Sequence, residues 1–243
     1  MKLWFDGFIM AWGMFLAIPT PSHRWNEAAR RHMMQCLPLI GCIIGALWAL
    51  AAWLLRDAPL AIRAMILAAL PWLLSGFLHL DGYMDVCDAV LSRRDLETRQ
   101  RILKDSHCGA FAVIGIVLLA LAQWSVLLSA ARIALLPLAA IPAATRACAA
   151  LAVQLLRPLG TSQYAAMTRR GLPLFPVMML LLAVILPAVF CGIGGFAPLA
   201  AALGYSLAAW YGVRQLGGMN GDISGFALSL GELMGAAFLI LVG

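Results

Sequence analysis

The sequence is short of charge. Lys, Arg, Asp and Glu make up only 12% of its 243 residues, where a soluble domain carries about 25%, so a water-soluble globule is excluded. The six cysteines (Cys36, Cys42, Cys87, Cys108, Cys148, Cys191) form no CxxC pair and have no histidine beside them at zinc spacing. They read as small apolar residues, not as a disulfide framework or a zinc site. The alternation of apolar and polar residues that a membrane β-barrel needs is missing. No internal repeat, low-complexity tract or linker divides the chain, so a single domain over 1–243 is expected. A cleaved leader is not expected either, because Asp6 interrupts the first apolar run.

What the chain has instead is oil. Hydrophobic residues fill 63% of it, in runs close to the roughly 20 residues that cross a bilayer. The reading is an all-α, polytopic membrane helical bundle of about 7–8 apolar segments. The segments are Trp4–Ile18, Leu37–Leu55, one that follows the turn Arg56-Asp57-Ala58-Pro59 and runs to about Leu80, Gly109–Ala130, Ile133–Leu156, Leu174–Phe190, Leu199–Val213 and Phe226–Val242. The first either spans or lies in the interface.

Positive charge is not evenly shared between the connections. Loops 19–36, 81–108, 157–172 and 214–225 hold twelve of the seventeen Lys and Arg, including Arg24, Arg157, Arg169 and Arg170. The opposite loops hold little beyond Arg56, Arg63 and Arg132. This bias puts the basic loops in the cytoplasm, and it replaces nucleic-acid binding as the explanation of the net charge of +6; the cell (inner) membrane is the expected location.

Acid is concentrated more sharply. Of eleven Asp and Glu, six lie between His79 and Gly109. Asp81, Asp85 and Asp88 fall at i, i+4 and i+7, one stripe of a helix. Three carboxylates with no interleaved cation repel one another, and a divalent metal bound through oxygen resolves the repulsion. Mg²⁺ suits so small a set, since it keeps room for water and substrate phosphates. Further on, Lys104, Asp105, Ser106 and His107 precede an apolar run. Asp105 or Ser106 is expected to cap the helix there, and such a terminus with Lys, Ser and His beside it suits a phosphate oxygen. His79 and His107 are each a base or a structural hydrogen-bonder.

The stretch Gly217-Gly218-Met219-Asn220-Gly221-Asp222 lets backbone N–H groups approach a ligand closely. Four spans separate it from the acidic island, so both emerge on one face and can build one site. Arg146 and Glu232 lie inside apolar runs, where charges face a cavity or a partner; for Arg146, holding diphosphate oxygens fits.

These stretches together resemble the cobalamin synthase family, also known as adenosylcobinamide-GDP ribazoletransferase. Its HLDGxxDxxDG signature is matched by His79-Leu-Asp81-Gly82-Tyr-Met-Asp85-Val-Cys-Asp88-Ala89, its KDSRxG by Lys104 to Gly109, and its GGxTGDxxGAxxE by Gly217 to Glu232. The Pro19-Thr-Pro21 element, Pro38 to Gly41, and Arg146 also fit. Ala89 replaces a Gly, His107 an Arg, Asn220 a Thr and Ala17 an Arg.

The resemblance implies Mg²⁺-dependent phosphoryl transfer at the cytoplasmic membrane face. α-Ribazole or its 5'-phosphate would attack adenosylcobinamide-GDP, and GMP would leave. Asp81, Asp85 and Asp88 are then the metal ligands, and Lys104 and Arg146 stabilise the leaving group. Asp105 or Asp222 takes the proton. His79, Ser106, His107, Arg146, Gly217, Gly218, Asn220 and Gly221 bind substrate. Implied partners are small corrinoid and nucleoside molecules, with other corrinoid-pathway enzymes alongside. A CDP-alcohol phosphotransferase is the nearest rival, but its DGxxAR element is absent, with Tyr83-Met84-Asp85-Val86 following Gly82. An ion-coupled transporter using Asp81, Glu232 and Arg146 would call for related halves and midplane carboxylates, and most of the acids lie in one loop.

Overall fold

The computed structural model describes residues 2–20, 22, 25–160 and 173–242; Pro21, Arg24, Arg169 and Arg170 lie outside them. The described residues form eleven α-helices, with no strand beyond an isolated bridge. They are α1 (Lys2–Phe15), α2 (Arg30–Gln35), α3 (Leu37–Leu54), α4 (Leu60–Leu74), α5 (Leu78–Leu91), α6 (Leu96–Ile102), α7 (Ala110–Leu128), α8 (Leu135–Leu155), α9 (Leu174–Phe190), α10 (Ala197–Leu216) and α11 (Gly221–Leu241). The all-α membrane class stands.

The expected number of spans does not. Among the described residues five helical stretches are long and apolar enough to cross a membrane: α3, α7, α8, Gly192–Leu216 with α10, and α11. A sixth appears only if α4 and α5 count as one span, and they meet at 92°. The run to Leu80 read as a straight span because composition carries no record of direction. The turn is made by Gly76 and Phe77, both left-handed (φ 60° and 61°). Of the two remaining apolar helices, α1 has 14 residues, short of a straight crossing, and α9 has 17, the lower end of the range that crosses.

The bundle is organised around α8. Ala is the strongest helix former and the smallest side chain with a Cβ, and α8 is rich in it. Every residue from Ile141 to Ala150 is buried. Neighbouring helices come in at backbone distance: a Cβ at Gly45 of α3 would sit 1.9 Å from the Ala139 carbonyl oxygen. This is the small-residue packing that replaces the hydrophobic drive inside lipid. In contrast α7 turns Phe111, Ile114, Leu118 and Leu121 outward as an exposed apolar face, the surface a bilayer would cover.

Candidate functional site

The acidic helix α5 crosses the first turns of α11 at two glycines. A Cβ on Gly82 would lie 2.7 Å from the Asp222 Cα, and one on Gly225 would lie 2.8 Å from the His79 carbonyl oxygen. Tyr83 stacks on Phe226 beside the crossing (5.5 Å between centroids, 17° between planes). The glycines of the two motifs are therefore each other's clearance. They bring the HLDG stretch and the NGD stretch into one site, as expected of two motifs read as emerging on one face.

At the crossing lies a cavity of about 360 Å³. One wall is polar, with His79, Asp81, Asn220, Gly221, Asp222 and Ser224; the other is apolar, with Phe15 of α1, Met33 and Met34 of α2 and Leu37 of α3 among its residues. Phe15 stacks on His79 at 6.4 Å. His79 is buried, its Nε2 has no hydrogen-bond partner, and Arg146 lies within electrostatic reach of it. The apolar wall was invisible in the sequence, because its residues look like any others in an apolar helix.

Asn220 is the N-cap of α11: its Oδ1 accepts from the Ile223 N–H at 2.9 Å, while its Nδ2 donates to Asp222 Oδ2 at 2.6 Å. Thr would cap the same helix, which accounts physically for Asn standing where the resembled signature has Thr. Gly221 opens α11 on the cavity wall.

The carboxylates of Asp81, Asp88 and Asp222 are near enough to Asp85 to repel its charge, and Asp81 acts likewise on Asp222. None of the four is ion-paired among the described residues. Asp88 differs from the others. Its Oδ2 accepts from the Gly109 N–H at 2.6 Å and its Oδ1 from the Ala112 N–H at 2.9 Å, so it caps α7 from across the fold. As they stand, no three His, Cys, Asp or Glu side chains among the described residues converge to hold a metal ion.

Other expected site residues are placed elsewhere. The cap of α7 is Gly109 helped by Asp88, not Asp105 or Ser106. Lys104, Asp105, Ser106 and His107 form an exposed loop outside the cavity wall. There His107 Nδ1 meets Asp105 Oδ1 at 2.6 Å and holds that carboxyl below the usual carboxylate range. Gly217 ends α10 in a left-handed turn (φ 89°), and Gly218 clears the backbone of Leu159, 2.7 Å from where its Cβ would be. Both serve the path of the chain: Met219 N–H donates to the Arg157 carbonyl and Leu159 N–H to the Met219 carbonyl, each at 2.8 Å. Arg146 does not line the cavity. It is fully buried and meets Glu232 Oε1 at 2.5 Å, each supplying the partner that an intramembrane charge demands.

No solved structure matches the chain. The family described as Cobalamin-5-phosphate synthase matches residues 7–240. An adenosylcobinamide-GDP ribazoletransferase of Clostridium perfringens is 37% identical, with all of both chains covered. One from Clostridium botulinum is 34% identical over 97% of each. Another from Geobacillus kaustophilus is 33% identical over 99% of this chain and 98% of its own. With relatives this similar end to end, and with the HLDG and NGD stretches meeting on one cavity wall, the chain belongs to the cobalamin-5-phosphate synthase family.

Proposed function

We propose that this membrane transferase joins adenosylcobinamide-GDP to α-ribazole, or to its 5'-phosphate, releasing GMP. The names of the relatives support the reaction. The observation that carries it to particular residues is the meeting of Asp81, Asp222, Asn220 and Gly221 on one cavity wall. A ribose hydroxyl forms a new P–O bond at the cobinamide-side phosphorus, the P–O bond to GMP breaks, and the hydroxyl proton passes to a carboxylate. Asp222 is the best-supported acceptor: it lies on the cavity and is oriented by Asn220, whereas Asp105 lies outside and is tied to His107. The N-terminus of α11, which Gly221 opens on the cavity wall, suits an anionic phosphate oxygen. His79 Nε2, buried and free, is a polar contact in reserve for the substrate.

Mg²⁺ fits this site by charge. Asp81, Asp85 and Asp222 repel one another with no cation between them. Mg²⁺ takes only one or two protein carboxylates and fills its shell with water and substrate phosphates, so a preformed cage of three is not needed. We therefore assign it to Asp81 and Asp85 with Asp222 beside them. Asp88 is given to the cap of α7. When bound, the ion neutralises charge on the diphosphate oxygens. The basic loops support a cytoplasmic active face.

The test is GMP release by purified protein in liposomes supplied with both substrates and Mg²⁺. Asp81→Ala, Asp85→Ala and Asp222→Asn are each expected to lose at least a hundredfold in rate without loss of fold, and EDTA to silence the wild type. Full activity in Asp85→Ala or in EDTA would remove the metal assignment; no product from folded wild type with either nucleoside would remove the reaction.

A further inference from the structure

A second polar hollow lies away from the cavity and shares no lining residue with it. This groove of about 410 Å³ runs between the end of α5 and the end of α10, lined by Leu91, Arg93, Arg94, Arg99, Tyr211 and Gln215 together with Val90. Three guanidinium groups face it and no carboxylate does. None of the three is ion-paired among the described residues. Arg99 donates to Gln215 Oε1, and its Nε is buried with no partner. Arg93 is held in the left-handed region (φ 54°), a conformation a non-glycine residue adopts at a cost.

The surroundings say what sort of anion reaches it. Leu203, Leu207, Trp210 and Tyr211 are exposed along one side of α10, the side a bilayer would cover. The stripe ends in the two aromatic residues, the type found where hydrocarbon meets headgroups. Arg214 stacks on Trp210 at 4.8 Å just beyond. The cationic groove thus opens at headgroup depth, continuous with a lipid-facing surface.

We propose that the groove binds the phosphate of an anionic phospholipid, whose acyl chains lie along the exposed stripe of α10. Planar guanidinium groups match phosphate oxygens through paired hydrogen bonds. The inference is independent of the reaction assigned above. A free phosphate offers the same oxygens but nothing to the apolar stripe.

Full-length protein in nanodiscs of phosphatidylcholine doped with phosphatidylglycerol tests this, with retained lipid counted by native mass spectrometry. Wild type is expected to enrich phosphatidylglycerol. Arg94→Ala is expected to lower the enrichment about fivefold, and Arg93→Gly with Arg94→Ala about 25-fold, at about fivefold per basic group. Glycine relaxes a left-handed residue, so Arg93→Gly is expected to melt no lower than wild type while losing lipid. No preference for phosphatidylglycerol in wild type, or an unchanged preference in Arg94→Ala, would overturn the proposal. So would inorganic phosphate protecting the protein through Arg94 where phosphatidylglycerol does not.

Discussion

Asp88 shows how one residue type in one stripe divides its duties. Its spacing with Asp81 and Asp85 was legible, since helical periodicity needs only the sequence. Its partners were not: they are the N–H groups of Gly109 and Ala112, 21 and 24 residues away, and only the fold brings them near. The same contact dictates glycine at 109, where a Cβ would lie 2.6 Å from Asp88 Oδ1. Asp88→Ala is expected to cost about 1–2 kcal/mol, the range for a lost helix cap, read as a lower melting temperature in detergent, and Gly109→Ala to lower it similarly. Asp85→Ala should leave melting unchanged and remove activity. Arg146 offers a second contrast. A mid-span arginine reads equally as a substrate clamp or as half of a buried pair, and only the proximity of Glu232 decides. Removing either partner leaves an unpaired buried charge, at about 3–5 kcal/mol, so Arg146→Ala and Glu232→Ala are expected to accumulate poorly. Arg146→Met with Glu232→Leu is expected to recover both fold and turnover. Recovered fold without turnover would return Arg146 to the substrate.

At the scale of the element, apolar length was read well and direction was not. Gly76 and Phe77 divide one apolar run into α4 and α5 at 92°, and the bend lays the acidic helix across α11 where a straight span would have carried it past. Gly76 has room for a side chain, its nearest neighbour being Ala17 Cβ at 3.8 Å, so only backbone strain resists substitution. Gly76→Ala is expected to cost about 1–2 kcal/mol, while Phe77→Gly, at an exposed position of the same handedness, should be neutral or stabilising. Thermal unfolding of the two variants checks this. If both shift alike, the bend is not held by those dihedrals. The Gly82 and Gly225 clearances show the same limit on sequence reading: a glycine in a motif suggests a ligand, and here the close neighbour is another helix.

For the whole molecule, the charge bias between alternate loops is the signal that can be read without any contact, and the topology it predicts is open to direct test. The chain carries its own probes of it. Cys108 is exposed on the loop beside the acidic helix, and Cys191 follows the far end of α9. A membrane-impermeant maleimide is expected to label Cys108 in inside-out vesicles and not in intact cells. Cys191 should behave in the reverse manner. Labelling of both from one side would contradict the topology. What the charge pattern did not convey was the roof of the cavity, contributed by α1 and α2, since their apolar side chains carry no chemical mark.

The bridge between Met219 and the stretch Arg157–Leu159 has a mechanical meaning. Two backbone hydrogen bonds splice the outgoing end of α8 to the turn that delivers Asn220 and Asp222. Backbone links are stiff where side chains bend, so the turn carrying Asn220 and Asp222 is tied to Leu159 with little slack. The turn is thereby anchored to α8, the most enclosed of the span-length helices, like a shelf bracketed to the central post of the bundle.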